Sequence, residues 1–298
     1  MEIASIIVLD GIVYASWLFL VSAGITFIFG VLRILNVAHG SIFAIGAYMG
    51  AWLATSFLHG QYPAWLSFPI LLVAAIIVAV VVGPLIERVF LKRTYQEEEI
   101  IPLLTTFALF LILEDVMKLV WGIEPYFVDQ PFTIMGEVTL AGISYAGYPF
   151  VLSGIAVLCG ALIWLLMNRT RFGRQVTSVI GDREISSAMG ISVQRIDTLS
   201  FVLGTFLAAL GGAFTAPMIS VEPGMGLEVV VLAFAVVAIG GLGSIGGAAL
   251  GCLLVGIARA AAVHLYPELE LFIIYALMIM VLIFRPQGFF GGVELRRI

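Results

Sequence analysis

Charge is the scarcest commodity in this 298-residue chain. Charged residues make up 11%, against about 25% in soluble globular domains. Length alone would suggest two soluble domains, and the composition excludes them. Cysteine is nearly absent. Cys159 and Cys252 both fall inside apolar runs, where they read as small buried residues, so no disulfide is inferred. Three histidines are scattered along the chain, and there is no HExxH and no Cys/His cluster, which leaves a metal or hydrolase centre without ligands. No Walker A pattern occurs, so this chain has no such route to ATP hydrolysis. Neither the regular arginines of a voltage sensor nor a TVGYG-type filter appears. The first residues, MEIASIIVLDG, lack the basic start of a cleaved signal peptide, so they are expected to be kept as part of the first span.

What the chain has in abundance is apolar length, 62% of its residues. The runs are continuous rather than alternating every second residue, which excludes a membrane β-barrel. A helix needs roughly 20 apolar residues to cross a hydrocarbon core ~30 Å thick. Candidate spans cover residues 6–31, 37–58, 64–86, 100–121, 148–167, 198–219, 229–264 and 269–284. The fold class is therefore an all-α polytopic membrane protein with about eight transmembrane segments. Residues 1–298 form a single transmembrane domain, within which 168–197 is a cytoplasmic loop. The seventh run is too long for one simple span, and glycines at 240–247 interrupt it. A re-entrant hairpin and two short helices both fit.

Orientation follows from where lysine and arginine collect. Twelve of the 14 basic residues fall on one side: Arg33, Arg88, Lys92, Arg93, Arg169, Arg171, Arg174, Arg183, Arg195, Arg285, Arg296 and Arg297. That side is expected to be cytoplasmic. The N-terminus is then outside and the C-terminus inside. Only Lys118 and Arg259 lie toward the far side, among Glu124, Asp129, Glu137, Glu222, Glu228, Glu268 and Glu270.

The chain reads around residues 30–54. Arg33, Asn36, His39, Gly40 and Ser41 stand between the first two apolar runs. They mark either a turn at a membrane face or a break at membrane depth. A break is allowed only where protein or a water-filled cavity satisfies the freed backbone. As a turn, the cluster is structural; as a break, it lies beside a permeation path. Gly-Ser-Ile recurs at 40–42 and 243–245, and interrupted helices in corresponding positions point to the pathway in repeat-built transporters. The path candidates are accordingly Asn36, His39, Gly40, Ser41, Gly243 and Ser244, with each Gly-Ser-Ile expected at a cytoplasmic turn.

Small residues spaced by four at Gly46, Gly50 and Ala54, at Gly204, Ala208, Gly212 and Ala216, and at Gly243, Gly247 and Gly251 predict helix-packing faces. The last set overlaps a GxGxxG pattern, 241–246. A dinucleotide site is rejected there, because it needs a soluble strand before the helix. In the fourth span, Lys118 follows Glu114 by four and Asp115 by three, a spacing that allows a helical ion pair. A role for these carboxylates in passage is the alternative, since ionisable groups in a membrane are functional candidates. Asp10 is expected near the outer surface, with a place in the path as the alternative.

In the 168–197 loop, Asp182 is a good N-cap and Gly190 a good residue just past a helix end. A short helix is predicted over 183–189, with Ile185, Ala188 and Met189 on one face and Arg183 and Glu184 among the residues off it. It suits docking into a groove on a cytoplasmic partner, or folding against its own bundle. Ile185 and Met189 would be the anchors, and Arg183 and Glu184 rim contacts.

Six stretches resemble the membrane permease subunits of branched-chain amino-acid ABC importers and their urea and short-amide relatives. They are GVLRILNVAHGSIFAIGAY (30–48), TTFALFLILEDVMKLVWGIEP (105–125), GDREISSAMGI (181–191), TLSFVLGTFLAALGGA (198–213), AIGGLGSIGGAALG (238–251) and FRPQGFFG (284–291). The resemblance implies a non-enzymatic permease subunit in a bacterial or archaeal inner membrane. It implies an extracytoplasmic binding protein, a second permease subunit (a paralogue or a copy), and two cytoplasmic ATPases that bind the ATP and Mg. No cofactor is expected in this chain, and no nucleic-acid partner; lipid surrounds it. The third stretch resembles the loop such permeases use to contact their ATPase, over Asp182, Arg183, Glu184, Ile185, Ala188, Met189 and Gly190. It departs from the fuller Glu-Ala-Ala form, since Ile185 and Ser186 follow Glu184. Within the family the alternative is a urea or short-amide permease. From another class, it is a carrier or channel working alone, which would usually need ionisable groups deep in the bundle for ion coupling.

Overall fold

A computed structural model describes residues 2–59, 63–95, 97–140 and 143–291. Eleven α-helices appear among them: α1 Glu2–Leu32, α2 His39–His59, α3 Ser67–Leu85, α4 Ile100–Trp121, α5 Tyr148–Arg169, α6 Arg171–Gly181, α7 Arg183–Ala188, α8 Val193–Thr215, α9 Met225–Gly240, α10 Ile245–Leu265 and α11 Glu270–Phe284. Among the described residues, eight helical stretches are long and apolar enough to cross a membrane. The fold is all-α and polytopic as expected, apart from one short antiparallel hairpin, β1 Glu137–Leu140 with β2 Ile143–Ala146.

The 229–264 run resolves into two helices. Gly241 and Gly243 take positive φ angles of 103° and 82°, a conformation that costs glycine little. The Ser244 hydroxyl then caps α10 by accepting from the Gly247 N–H at 3.0 Å. With 16 residues, α9 falls short of a span, while α10 reaches full length. The loop at 168–197 also departs from expectation. It holds a second helix, α6, capped by Thr170, and α8 begins at Val193 rather than residue 198.

Helix α8 is the axis of the bundle, packed against α1, α2 and α3. Its small residues allow the approach. Gly204 meets Ile28 and the Gly24 carbonyl of α1, and Gly212 meets the Phe43 carbonyl of α2. From the other side, Gly46 faces Ala209 and Gly50 faces Ala213. The expected face at Gly243, Gly247 and Gly251 is corrected. Gly247 and Gly251 pack on α9, against Gly240 and Val236, but Gly243 lies in the turn and abuts Gly30 of α1.

The first break lies inside the bundle. Helix α1 has 31 residues, or ~46 Å at 1.5 Å per residue. The chain then reverses at Arg33, whose φ is 57°, and returns without helix through residue 38. Helix α2 starts beside Val21 and Gly24 of α1, with His39 Nε2 3.1 Å from the Val21 carbonyl oxygen. Thr106 of α4 meets the freed backbone: its hydroxyl accepts from the Val37 N–H (3.3 Å) and lies 3.1 Å from the Leu35 carbonyl. That is the protein-supplied satisfaction a break in hydrocarbon requires. Gly40–Ile42 is therefore within the bundle and not at a turn on its surface; only the second Gly-Ser-Ile occupies such a turn.

Candidate functional site

Two regions carry the polar chemistry. The first is the meeting of two helix starts inside the bundle. Gly40 in the first turn of α2 touches Gly226 in the first turn of α9, backbone against backbone. Side chains on both would keep these helices apart. Glu114 of α4 turns inward to the same place, 7% exposed, and its Oε2 accepts from the Gly224 N–H at 3.0 Å. A carboxylate at a helix N-terminus is favourable because the first backbone N–H groups lack partners there. The expected ion pair thus divides. Asp115 pairs with Lys118 at 3.1 Å, and Glu114 caps α9 instead. Ser41 donates to the Phe110 carbonyl at 3.2 Å.

The bundle also buries polar side chains on several helices. Thr26 of α1, both amide atoms of Asn36, Nδ1 of His39, the Tyr48 hydroxyl, and Ser200 and Thr205 of α8 are buried without a hydrogen-bond partner among the described residues. Buried polar atoms normally find one. Asn36, His39, Gly40 and Ser41 stand together at the start of α2 and are fully packed. Gly243 and Ser244 are not; they occupy the α9–α10 turn beside Gly30. The six path candidates therefore form two separate groups.

The second region is the basic end. The Asp182 carboxylate caps α7 by accepting from the Ile185 N–H at 2.9 Å. At the other end Gly190 has φ 84°; its N–H donates to the Ser187 carbonyl and that of Ile191 to Ser186, a Schellman closure. Ile185 is 63% and Met189 79% exposed, with Ala188 also exposed. Ser186 turns into the protein. The helix presents its apolar residues outward, so it is not folded face-down on its own bundle.

Arg183 does not behave as a rim residue. Its Nη1 donates to the Val31 carbonyl in the last turn of α1 at 3.2 Å, and its Nη2 to the Asp197 carboxylate in the first turns of α8. Beside Asp197, the Thr198 hydroxyl donates to Glu87 Oε2 at 2.8 Å, and the Tyr95 hydroxyl to Glu87 Oε1 at 3.1 Å. Burial, reinforced by the Glu87 carboxylate, raises the Tyr95 phenol well above its usual range, so it stays a donor. Glu87, Tyr95, Thr106 and Asp197 were not singled out from sequence. The signal for Asp197 was a carboxylate just ahead of a glycine-spaced apolar run. At the opposite end Asp10 pairs with His264 at 2.7 Å, and Arg259 pairs with Glu270 while covering the Tyr14 ring at 4.0 Å.

Broken helices that meet inside a glycine-packed bundle, with a capped helix displayed at its basic end, define the membrane-spanning component of a transport system. The chain belongs to the family of permease components of branched-chain amino acid transport systems, whose model matches residues 7–282. Among curated relatives, the high-affinity branched-chain amino acid transport system permease protein LivH of Salmonella typhimurium is 27% identical over 97% of this chain and 96% of its own length. The corresponding protein BraD of Pseudomonas aeruginosa is 28% identical over the same shares. A probable branched-chain amino acid transport permease, LivH, of Methanocaldococcus jannaschii is 27% identical over 95% and 92%. Among solved structures, PsaBC from Streptococcus pneumoniae in complex with Fab aligns with a TM-score of 0.50 at 12% identity, over 92% of this chain and 90% of that one. This likeness is one of fold alone. The chain is a multi-pass protein of the plasma membrane.

Proposed function

We propose that this chain is a translocating subunit of a binding-protein-dependent ABC importer for branched-chain or related amino acids. Two cytoplasmic ATPases supply the energy, a second permease subunit completes the path, and an extracytoplasmic binding protein delivers the substrate. The observation that carries this reading is α7. It is closed at both ends by its own side chain and backbone, and it holds Ile185 and Met189 out toward solvent. Exposed apolar anchors on a rigid short helix are what a partner's groove takes up.

Truncating a buried interface anchor commonly costs more than ~1 kcal/mol, whereas exposed surface changes usually stay within about ±0.5 kcal/mol. Ile185→Asp therefore dissociates or uncouples the ATPase while the bundle still folds. The measurement is co-purification of the ATPase, with substrate-stimulated hydrolysis in nanodiscs. If Ile185→Asp keeps both at wild-type level, this helix is not the coupling site, and the 87–99 segment becomes the next candidate. Gradient-driven flux by the chain alone in liposomes would overturn the importer reading itself. The breaks at Gly40 and Gly243 belong to the proposed pathway or its gate. Gly40→Leu and Gly243→Leu should abolish uptake, and normal uptake by both, with the complex recovered intact, would remove these breaks from the path.

A further inference from the structure

We infer that Arg183 is a positioning residue, a two-point tether that carries movement of α7 into the broken start of α2. This rests on the reading of α7 as the ATPase contact. The last carbonyls of a helix have no intrahelical partner, and a cation there also meets the negative end of the helix dipole. Arg183 fills this role for α1 from another element, through Val31. The same guanidinium holds Asp197, whose side chain is 5% exposed. Guanidinium is a rigid planar fork, so its two contacts have a fixed relative geometry. Displacing α7 must drag both contacts or break them.

What lies beyond each contact gives the tether its meaning. Two residues past Val31 the chain reverses at Arg33, and the unwound stretch from there delivers His39 and Gly40 to the junction with α9. Past Asp197, α8 carries the glycine contacts to α1 and α2. A pull on Arg183 thus reaches both sides of the break. Arg195, exposed in the first turn of α8 two residues from Asp197, lies outside the α7 contact and is the natural control.

The test uses the whole complex, purified through a tag on this chain, reconstituted with its binding protein, and supplied with radiolabelled leucine. In Arg183→Ala the ATPase should co-purify at wild-type level and go on hydrolysing, because Ile185 and Met189 are untouched. Leucine moved per ATP should fall about tenfold, reflecting loss of a charge-assisted two-point contact. Asp197→Asn should shift the ratio in the same direction, and Arg195→Gln should leave it unchanged. A normal ratio in Arg183→Ala overturns the tether. So does loss of the ATPase from that variant, which would make Arg183 a docking contact while leaving α7 as the docking helix. Arg183→Lys keeps the charge but offers one nitrogen; full wild-type coupling in it would show that charge alone suffices and overturn the two-point form. If Arg183→Ala does not assemble, Asp197→Asn decides, and a normal ratio there sinks the proposal. If neither assembles, the pair serves folding and the proposal is wrong. Retention of the ATPase by Ile185→Asp would instead defeat the underlying reading of α7.

Discussion

Glycine is the residue whose role in this protein depends most on position. Gly46 lies on the backbone of Ala209, while Gly154 on α5 is exposed with open space around it. Gly46→Val should therefore destabilise by several kcal/mol, at or beyond the ~1–3 kcal/mol typical of overpacking, because it presses on backbone that cannot rotate away. Gly154→Ala should be neutral or stabilising by up to ~1 kcal/mol, from helix propensity alone. Thermal unfolding of both variants in the same detergent would check the contrast, and equal midpoints would refute it. The spacing by four announced that Gly46, Gly204 and Gly212 were contacts. It could not say with what. That depends on which helices neighbour each other, and lipid-facing and protein-facing glycines look alike in one dimension. The carboxylates show the same limit. Helical spacing offered Lys118 to both Glu114 and Asp115 equally, and only the approach of Gly224 from α9 decided which turned inward.

At the scale of elements, apolar runs about as long as a bilayer is thick marked the spanning helices. Termini were legible where a cap stood in the sequence. Asp182 and Gly190 bracketed α7, and the structure differs by one residue at its end. Helix α6 was missed although Thr170 stood ready as its cap. Its buried face is only Gly173, Val176 and Val179, too few apolar residues among arginines to stand out. The depth of the first break was undecided for a different reason. Whether an unwound stretch lies at a surface or inside depends on a donor and acceptor elsewhere, here Thr106 of α4, some 70 positions away. The cap on α7 can be tested directly. Replacing a capping Asp by Ala costs about 1 kcal/mol, and Asn caps nearly as well. Asp182→Ala should weaken ATPase binding about fivefold, as 1 kcal/mol requires, and Asp182→Asn should not. Equal weakening by both would mean that the carboxylate acts on the partner and not on the helix.

At the scale of the whole molecule the two ends are chemically unlike. Contacts of Arg183 with Val31, Gly243 with Gly30, Phe290 with Gly240 and Thr198 with Glu87 bring the end of α1, the end of α3, helices α6 and α7, the α9–α10 turn and the stretch after α11 to one end of the bundle. Arg33, Arg88, Lys92, Arg93, Arg169, Arg171, Arg174, Arg195 and Arg285 belong to these segments; Arg296 and Arg297 lie outside the described residues. The other end holds the Asp10–His264 and Arg259–Glu270 pairs. Positive charge resists translocation across the membrane during insertion, so the basic end should be cytoplasmic. This orientation is also what the function demands, since an ATPase can reach α7 only from the cytoplasm. Ser5, in the first turns of α1, and Ser178, on α6, are exposed at opposite ends. Single cysteines at these positions, treated in intact cells with an impermeant thiol reagent, should react at position 5 and stay silent at 178 until the membrane is opened. Labelling of Ser178→Cys but not Ser5→Cys would invert the molecule, place α7 on the outer face, and remove both the ATPase contact and the Arg183 tether with one measurement.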